Sequence, residues 1–207
     1  GDIYTVPVNG GKAAQITTNA AHDTHPVWSP DGKQIAFASD RMGSMDIFVV
    51  DREGGIPKRL TTHSGNETPV AFKDADHILF LANVMPSAED AQFPSGQFQQ
   101  VYEVSTTGDR PVMFSSMPME DISINKTGNA LLYHDKKGYE DPWRKHHTSS
   151  ITRDIWLCSL DGKRSYRKLT SFNGEDRTPV WASDGKSFYY LSEEKGSFNV
   201  FKRALDG

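Results

Sequence analysis

HPVWSPDGKQIAFASDR, residues 25–41, decides how the chain folds, because its phrasing returns as TPVWASDGKSFYYLSEE at residues 178–194. Blurred versions stand between them, TPVAFKDADHILF from Thr68 and EDISINKTGNALLY from Glu120. A second phrase keeps its place relative to the first: DIYTVPV from Asp2, DIFVVDR from Asp46, QVYEVST from Gln100, DIWLCSL from Asp154 and NVFKRAL from Asn199. A third follows closely, as AAQITT, PKRLTT, RPVMFSS and YRKLTS. A period of about 40 to 55 residues with a fixed internal order is the mark of a repeat architecture.

Each unit reads as four short β-strands, here a to d. In the unit from Pro26 they are PVWS, KQIAFAS, DIFVVD and PKRLT. The a-to-b joint is SPDGK, where Pro30 fixes the φ that a turn's second position wants and Gly32 supplies the left-handed geometry after it. Ile47 and Val49 alternate with Phe48 and Val50, so both faces of strand c are apolar. That pattern suits a sheet sandwiched between neighbouring sheets. Trp28 and Trp181, at one place in strand a, are expected to wedge between adjacent blades. Four-stranded antiparallel units stacked through apolar faces predict an all-β β-propeller. The expected order is strands c and d at 2–18, blades at 26–62, 69–116 and 121–170, and a partial blade at 179–207. That makes a single propeller fragment, an incomplete arc of about four blades cut from a longer protein.

Composition narrows the function. The chain has 207 residues, 36% hydrophobic and 24% charged, with a formal net charge of −4. This suits one globular domain with a real core, or two small ones. No basic run exceeds RKHH at 144–147, so a phosphate-tracking surface for nucleic acid is not expected. Apolar runs such as ILFLA at 78–82 fall far short of the roughly 18 residues a membrane helix needs. Cys158 is the only cysteine, which excludes an internal disulfide and paired-cysteine zinc patterns and fits a small buried apolar role.

The quoted residues resemble the TolB-type propeller repeat, in which a Pro-x-Trp-Ser-Pro-Asp-Gly turn leads to a Ser-Asp-Arg strand end and a Leu-Thr closing strand. The likeness spans nearly the whole chain; it is strongest at 26–61 and 179–205, and Ala71, Phe72 and Ser123, Ile124 depart from the Trp-Ser pair. The segment YHDKKGYEDPWRKHHTSSITRDIW resembles the amino-terminal propeller of bacterial tricorn-like peptidases of the carboxy-terminal-processing class. These resemblances imply an accessory, non-catalytic domain of a serine peptidase, gating or docking peptide or partner domains, in the periplasm or otherwise outside the cytoplasm. Two alternatives stand beside it: a TolB-like cell-envelope binding scaffold, and the amino-terminal propeller of a prolyl-oligopeptidase-type hydrolase.

Chemistry is sparse. There is no Gly-x-Ser-x-Gly elbow and no His-Glu-x-x-His. Gly185, Lys186 and Ser187 imitate the tail of a phosphate loop, but Val180 stands where that motif requires glycine. His146 and His147 beside Glu140 and Asp141 read either as metal-ligand types or as a solvated basic loop. Asn66-Glu67-Thr68 and Asn125-Lys126-Thr127 match the glycosylation pattern. No cofactor and no metal are expected.

Strand reversal sends the b-to-c and d-to-a connections to one face and the tight a-to-b and c-to-d turns to the other. The first face holds every long connection, including the insertions at 85–99 and 136–152. Loops gathered on a rigid scaffold are where recognition usually resides. Phe93, Phe98, Trp143, Arg144, His146 and His147 are therefore candidate contacts for a peptide or protein partner, or pins for their own loops. The d-to-a loops are expected to bring His22, Asp23, His25, His63, Glu67, Glu120, Asp176 and Arg177 towards one opening rich in acid. Unclosed blade edges are further expected to favour self-association or stabilisation by missing blades.

Overall fold

The structure, a computed structural model, describes residues 1–83, 98–138 and 149–206. Every regular element among them is a strand, and all strand pairs are antiparallel. The chain divides into two compact units, Gly1–Met117 and Pro118–Gly207. The all-β blade architecture read from the repeats is present in both.

In the first unit, β1 (Tyr4–Thr5) pairs with β2 (Ala14–Gln15). One blade follows as β3 (Asp23–Trp28), β4 (Gln34–Ser39), β5 (Asp46–Asp51) and β6 (Lys58–Arg59). The next is β7 (Glu67–Phe72), β8 (His77–Ala82), β9 (Gln100–Ser105) and β10 (Val112–Ser115). The two-residue period of β4 and β5 splits their side chains between two cores. Ile35, Phe37, Phe48 and Val50 pack with Ile3 and Ile16 of the β1–β2 ribbon. Ala36, Ile47 and Val49 pack with Leu60 and, on the next blade, Phe72, Ile78, Phe80, Ala82, Tyr102 and Val104. Truncating one such buried aromatic to alanine costs about 3 to 5 kcal/mol, so the two-faced apolar pattern is the main adhesive.

The second unit holds β11 (Met119–Ile124), β12 (Ala130–Asp135), β13 (Ile155–Ser159) and β14 (Ser165–Lys168) in one sheet. A three-stranded sheet follows, β15 (Asp176–Trp181), β16 (Ser187–Ser192) and β17 (Asn199–Ala204). Leu132, Ile155 and Leu169 of the first sheet meet Phe188 and Tyr190 of the second.

The two tryptophans do not share a fate. Trp181 packs on that core, and its Nε1–H donates to the Ser123 carbonyl on β11 at 2.9 Å, so it does wedge between blades. Trp28 is 51% exposed, which corrects the expectation. The reason is local: the sheet beside Trp28 is the β1–β2 ribbon, which has no strand in the place that β11 fills for Trp181.

Two devices recur from blade to blade. A threonine after strand d accepts an amide at the start of strand c: Ile3 N–H to Thr17 Oγ1, Ile47 N–H to Thr61 Oγ1 and Ile155 N–H to Thr170 Oγ1, at 2.9, 2.9 and 3.0 Å. Strand a, in turn, slips register near its third residue in every blade. At that bulge His25, Asp121 and Thr178 adopt left-handed φ of 53°, 49° and 54°. Such values are uncommon for non-glycine residues and strained for a β-branched one. The fourth such place holds Pro69, whose ring forbids positive φ.

Candidate functional site

In each unit the strand order places the b-to-c and d-to-a connections together and leaves tight turns on the opposite side, such as the one closed by Gly32 N–H to the Ser29 carbonyl. The long-connection side is the candidate recognition rim. Phe93, Trp143, Arg144, His146 and His147 lie outside the described residues, as do Glu140 and Asp141. Phe98 is half-buried, and its carbonyl accepts from Gln100 Nε2 at 3.0 Å.

On the first unit's rim, His22, His25 and His63 are exposed. The His22 amide donates to Asp40 Oδ1, and His63 Nδ1 accepts from the Gly65 amide, which shapes the loop. Asp23 and Glu67 are buried rather than facing an opening, at 4% and 1% exposure. Arg41 Nη2 donates to both oxygens of Asp23, at 2.9 Å to Oδ1 and 3.0 Å to Oδ2, and the guanidinium stacks on Phe48 and Phe37 at 4.7 and 5.3 Å. Burial opposes ionisation of Asp23, but hydrogen bonds from Ser39, Arg41 and Thr17 win and hold its carboxyl below the ordinary range. Glu67 accepts from Thr61 Oγ1, yet burial pushes its carboxyl up to about 7.

The second unit's rim carries the densest polar constellation. Glu120, on β11, receives Lys136 Nζ at 2.7 Å, His134 Nε2 at 3.2 Å and Arg153 Nε at 3.4 Å. Arg153 also reaches across to Glu175, Nη1 to Oε1, at 2.6 Å. The amide of left-handed Thr178 donates to His134 Nδ1 at 3.1 Å, so the ring proton sits on Nε2 and is given to Glu120. The Thr178 hydroxyl donates to Asp121 Oδ2 at 2.7 Å. The strained bulges of β11 and β15 are thus tied to each other through hydrogen bonds. Hydrogen bonding from His134, joined by Lys136, overcomes burial and draws the Glu120 carboxyl down to about 2. Asp176 is 1% exposed, and burial raises its pKa against hydrogen bonds from Ser192 and Thr170. Arg177 is half-buried, with its guanidinium 4.0 Å over the Phe198 ring.

Beside this network lies an open cleft of about 350 Å³ lined by Lys137, Thr152, Asp154, Lys168, Phe172 and Asn173 with neighbouring serines. Asp154 Oδ2 is bonded by Lys137 and by Lys168 at 2.9 Å, and Lys137 lies 3.6 Å from Asp135. Two lysines meet two carboxylates, so the cleft offers hydrogen-bonding groups without a net charge. Among the described residues no group of three or more His, Cys, Asp or Glu side chains is placed to hold a metal.

Of the residues named from sequence, the structure brings Glu120 into a network and leaves Asp23, Glu67 and Asp176 buried, each hydrogen-bonded within its own unit. No motif or spacing in the sequence marks His134, Lys136, Arg153, Glu175, Asp121 and Thr178, or Arg41. The recurring Leu-Thr phrase did carry a signal for Thr61 and Thr170. His134 hides inside the strand text ALLYHD, where nothing distinguishes it from a core residue.

The whole chain, residues 1–207, matches the family model described as the tricorn protease N-terminal beta propeller domain. It is 24% identical over 206 residues to tricorn protease homolog 1 of Streptomyces coelicolor, covering 100% of this chain and 18% of that protein. The crystal structure of the tricorn protease superposes with a TM-score of 0.72 at 19% identity, over 100% of this chain and 20% of that one. TolB from Acinetobacter baumannii gives 0.73 at 18% identity, over 98% and 46%. The chain thus spans about a fifth of the length of the curated tricorn homologue it matches.

Proposed function

The chain belongs to the tricorn protease N-terminal β-propeller family, and from that membership we propose that it is a docking and gating module of a tricorn-like serine peptidase. On this reading hydrolysis resides in other domains of the parent protein, and the propeller holds peptide or partner domains against its loop rim. The observation that carries the proposal is the asymmetry of the rims. One side has turns only. The other concentrates the Glu120–His134–Arg153 network, the Arg177–Phe198 stack and the long connections. Aromatic and arginine side chains contribute most to such interfaces, often about 2 kcal/mol or more on truncation.

The test replaces Trp143, Arg144 and Arg177 together by alanine and measures association with the parent protein's remaining domains and with its peptide substrates. Association is expected to weaken at least tenfold with the melting temperature nearly unchanged. Unaltered association, or a large loss of melting temperature with it, overturns the docking role. A TolB-like envelope scaffold without a protease is the second reading, since TolB from Acinetobacter baumannii shares the fold as fully as the tricorn protease does, with TM-scores of 0.73 and 0.72. The coding sequence around this segment separates the two, as it does a prolyl-oligopeptidase-type parent. An extracytoplasmic location belongs to the same proposal, and cell fractionation tests it.

A further inference from the structure

The fifth residue of strand b is Ala38, Leu81 and Leu191 in β4, β8 and β16, and His134 in β12. Three are apolar; the other is a titratable ring buried to 4% exposure. The bulge of the following strand a differs in step with it. Beyond the β4 blade that bulge holds Pro69, which has no amide proton. Beyond the β12 blade it holds Thr178, whose amide donates to His134 Nδ1 at 3.1 Å. A ring nitrogen thus stands where the neighbouring backbone has a proton to give, and an apolar residue where it has none.

Both nitrogens of the neutral ring are committed. Nδ1 accepts from Thr178, and Nε2 donates to Glu120 Oε2 at 3.2 Å. A backbone amide can only donate, so a proton on Nδ1 sets donor against donor and breaks that bond. The new N–H has an acceptor nearby: Asp121 Oδ2 lies 3.7 Å from Nδ1 and receives the Thr178 hydroxyl at 2.7 Å. The other charged groups around the ring are engaged elsewhere. Lys136 Nζ and Arg153 Nε lie against Glu120, at 2.7 and 3.4 Å, and Arg153 continues to Glu175. Asp135 and Asp154 share Lys137, Asp176 is hydrogen-bonded to Ser192 and Thr170, and Arg177 lies over Phe198. Glu120, drawn down to about 2, is ionised throughout the range in which an imidazole ordinarily titrates, roughly pH 5 to 8. The charge it presents to Nε2 is therefore constant while the ring takes up a proton.

We propose that His134 is an acid-sensitive clasp between the two sheets of Pro118–Gly207: neutral, it fastens the β15 bulge through Thr178; protonated, it turns its Nδ1–H to Asp121 and releases the Thr178 amide. Thr178 holds a β-branched side chain at φ 54°, a conformation that persists only while its surroundings impose it. The amide bond to His134 and the hydroxyl bond to Asp121 are two of the ties that do so. Protonation removes the first and makes the ring compete for the acceptor of the second. Arg177 precedes Thr178 in the chain, so the Arg177–Phe198 stack on the rim loosens with the bulge as pH falls. The clasp stands whether or not the rim docks a partner.

The test uses the full 207-residue chain labelled with the heavier nitrogen isotope. Ring nitrogen spectra of His134 are followed from about pH 8 to about pH 5, the imidazole range. Amide exchange is followed in parallel at Thr178 and, as a control, at Ala182, whose N–H donates to the Ser187 carbonyl in the same sheet. The neutral ring is expected to carry its proton on Nε2. As it gains a second proton, protection at Thr178 is expected to fall about tenfold beyond the change in intrinsic rate, the scale of one backbone hydrogen bond, while Ala182 holds. His134→Asn offers the Thr178 amide an acceptor that takes up no proton, and is expected to abolish this pH dependence. A neutral ring protonated on Nδ1, a ring that stays neutral across the whole range, or Thr178 protection that ignores the ring's titration overturns the clasp. So does an equal loss at Ala182, which marks unfolding of the sheet. Should His134→Asn fail to fold, Asp121→Asn decides: it moves the ring's midpoint to lower pH if the protonated ring turns to Asp121, and a midpoint left in place overturns the switch.

Discussion

Glu120→Gln is the most informative perturbation of the second unit, because it removes one charge from the Glu120–His134–Arg153 network while keeping shape and an acceptor. The folded environment takes this carboxyl from 4.5 down to about 2. At about 1.4 kcal/mol per pKa unit, the difference has a ceiling of about 3 kcal/mol. The side chain is 25% exposed, so water screens part of it, and about 2 kcal/mol is the working figure. A lowered pKa contributes stability that is complete above the unfolded value and disappears as pH falls through about 2. The wild-type chain is therefore expected to be about 2 kcal/mol more stable than Glu120→Gln at pH 7, with the gap closing between pH 5 and pH 2. Urea unfolding followed by the Thr178 amide resonance reports on Pro118–Gly207, which matters because two units need not melt as one transition. A gap that stays constant from pH 7 to pH 2 refutes the electrostatic account and leaves only a packing effect. The same spectra check the geometry. Thr178 N–H bonds to His134 Nδ1 and not to Glu120, so its shift is expected to survive the substitution.

Two further outcomes follow from the first unit and from the sheet edges. Arg41→Ala leaves the Asp23 carboxylate buried without its cation and is expected to destabilise Gly1–Met117 by about 3 to 5 kcal/mol. Adding Asp23→Asn should recover part of that loss, and strictly additive effects in the double-mutant cycle would show that the pair is not coupled. The open face of β15–β17 displays Val180, Tyr189 and Val200 at 52%, 41% and 70% exposure, while among the described residues β17 pairs with β16 alone. Self-association of the isolated chain is expected, and a light-scattering mass of one chain at high concentration would contradict it.

What the repeat made legible was set by periodicity. Alternate residues of β4 and β5 lead to two different cores, and a two-residue period in residues 34–50 is enough to say so. Turn chemistry was equally local, since Gly32 and Gly185 both adopt the left-handed φ that their turns require, 68° and 63°. Trp28 failed the same logic because its burial depends on a neighbouring strand, and no residue of strand a records whether that strand is present. The rim acids failed for a related reason. Asp23, Glu67 and Asp176 look alike as the first residues of strand a, and sequence reads them as one acidic set. Their states are decided by the residue across the pair, Ser39, Ala82 or Ser192, and by whether an arginine follows. Register across a bulge is needed to see that, and the bulge appears only in the backbone, at His25, Asp121 and Thr178. The repeat thus announces equivalence of position, while function at the rim rests on where equivalent positions have been given unequal partners.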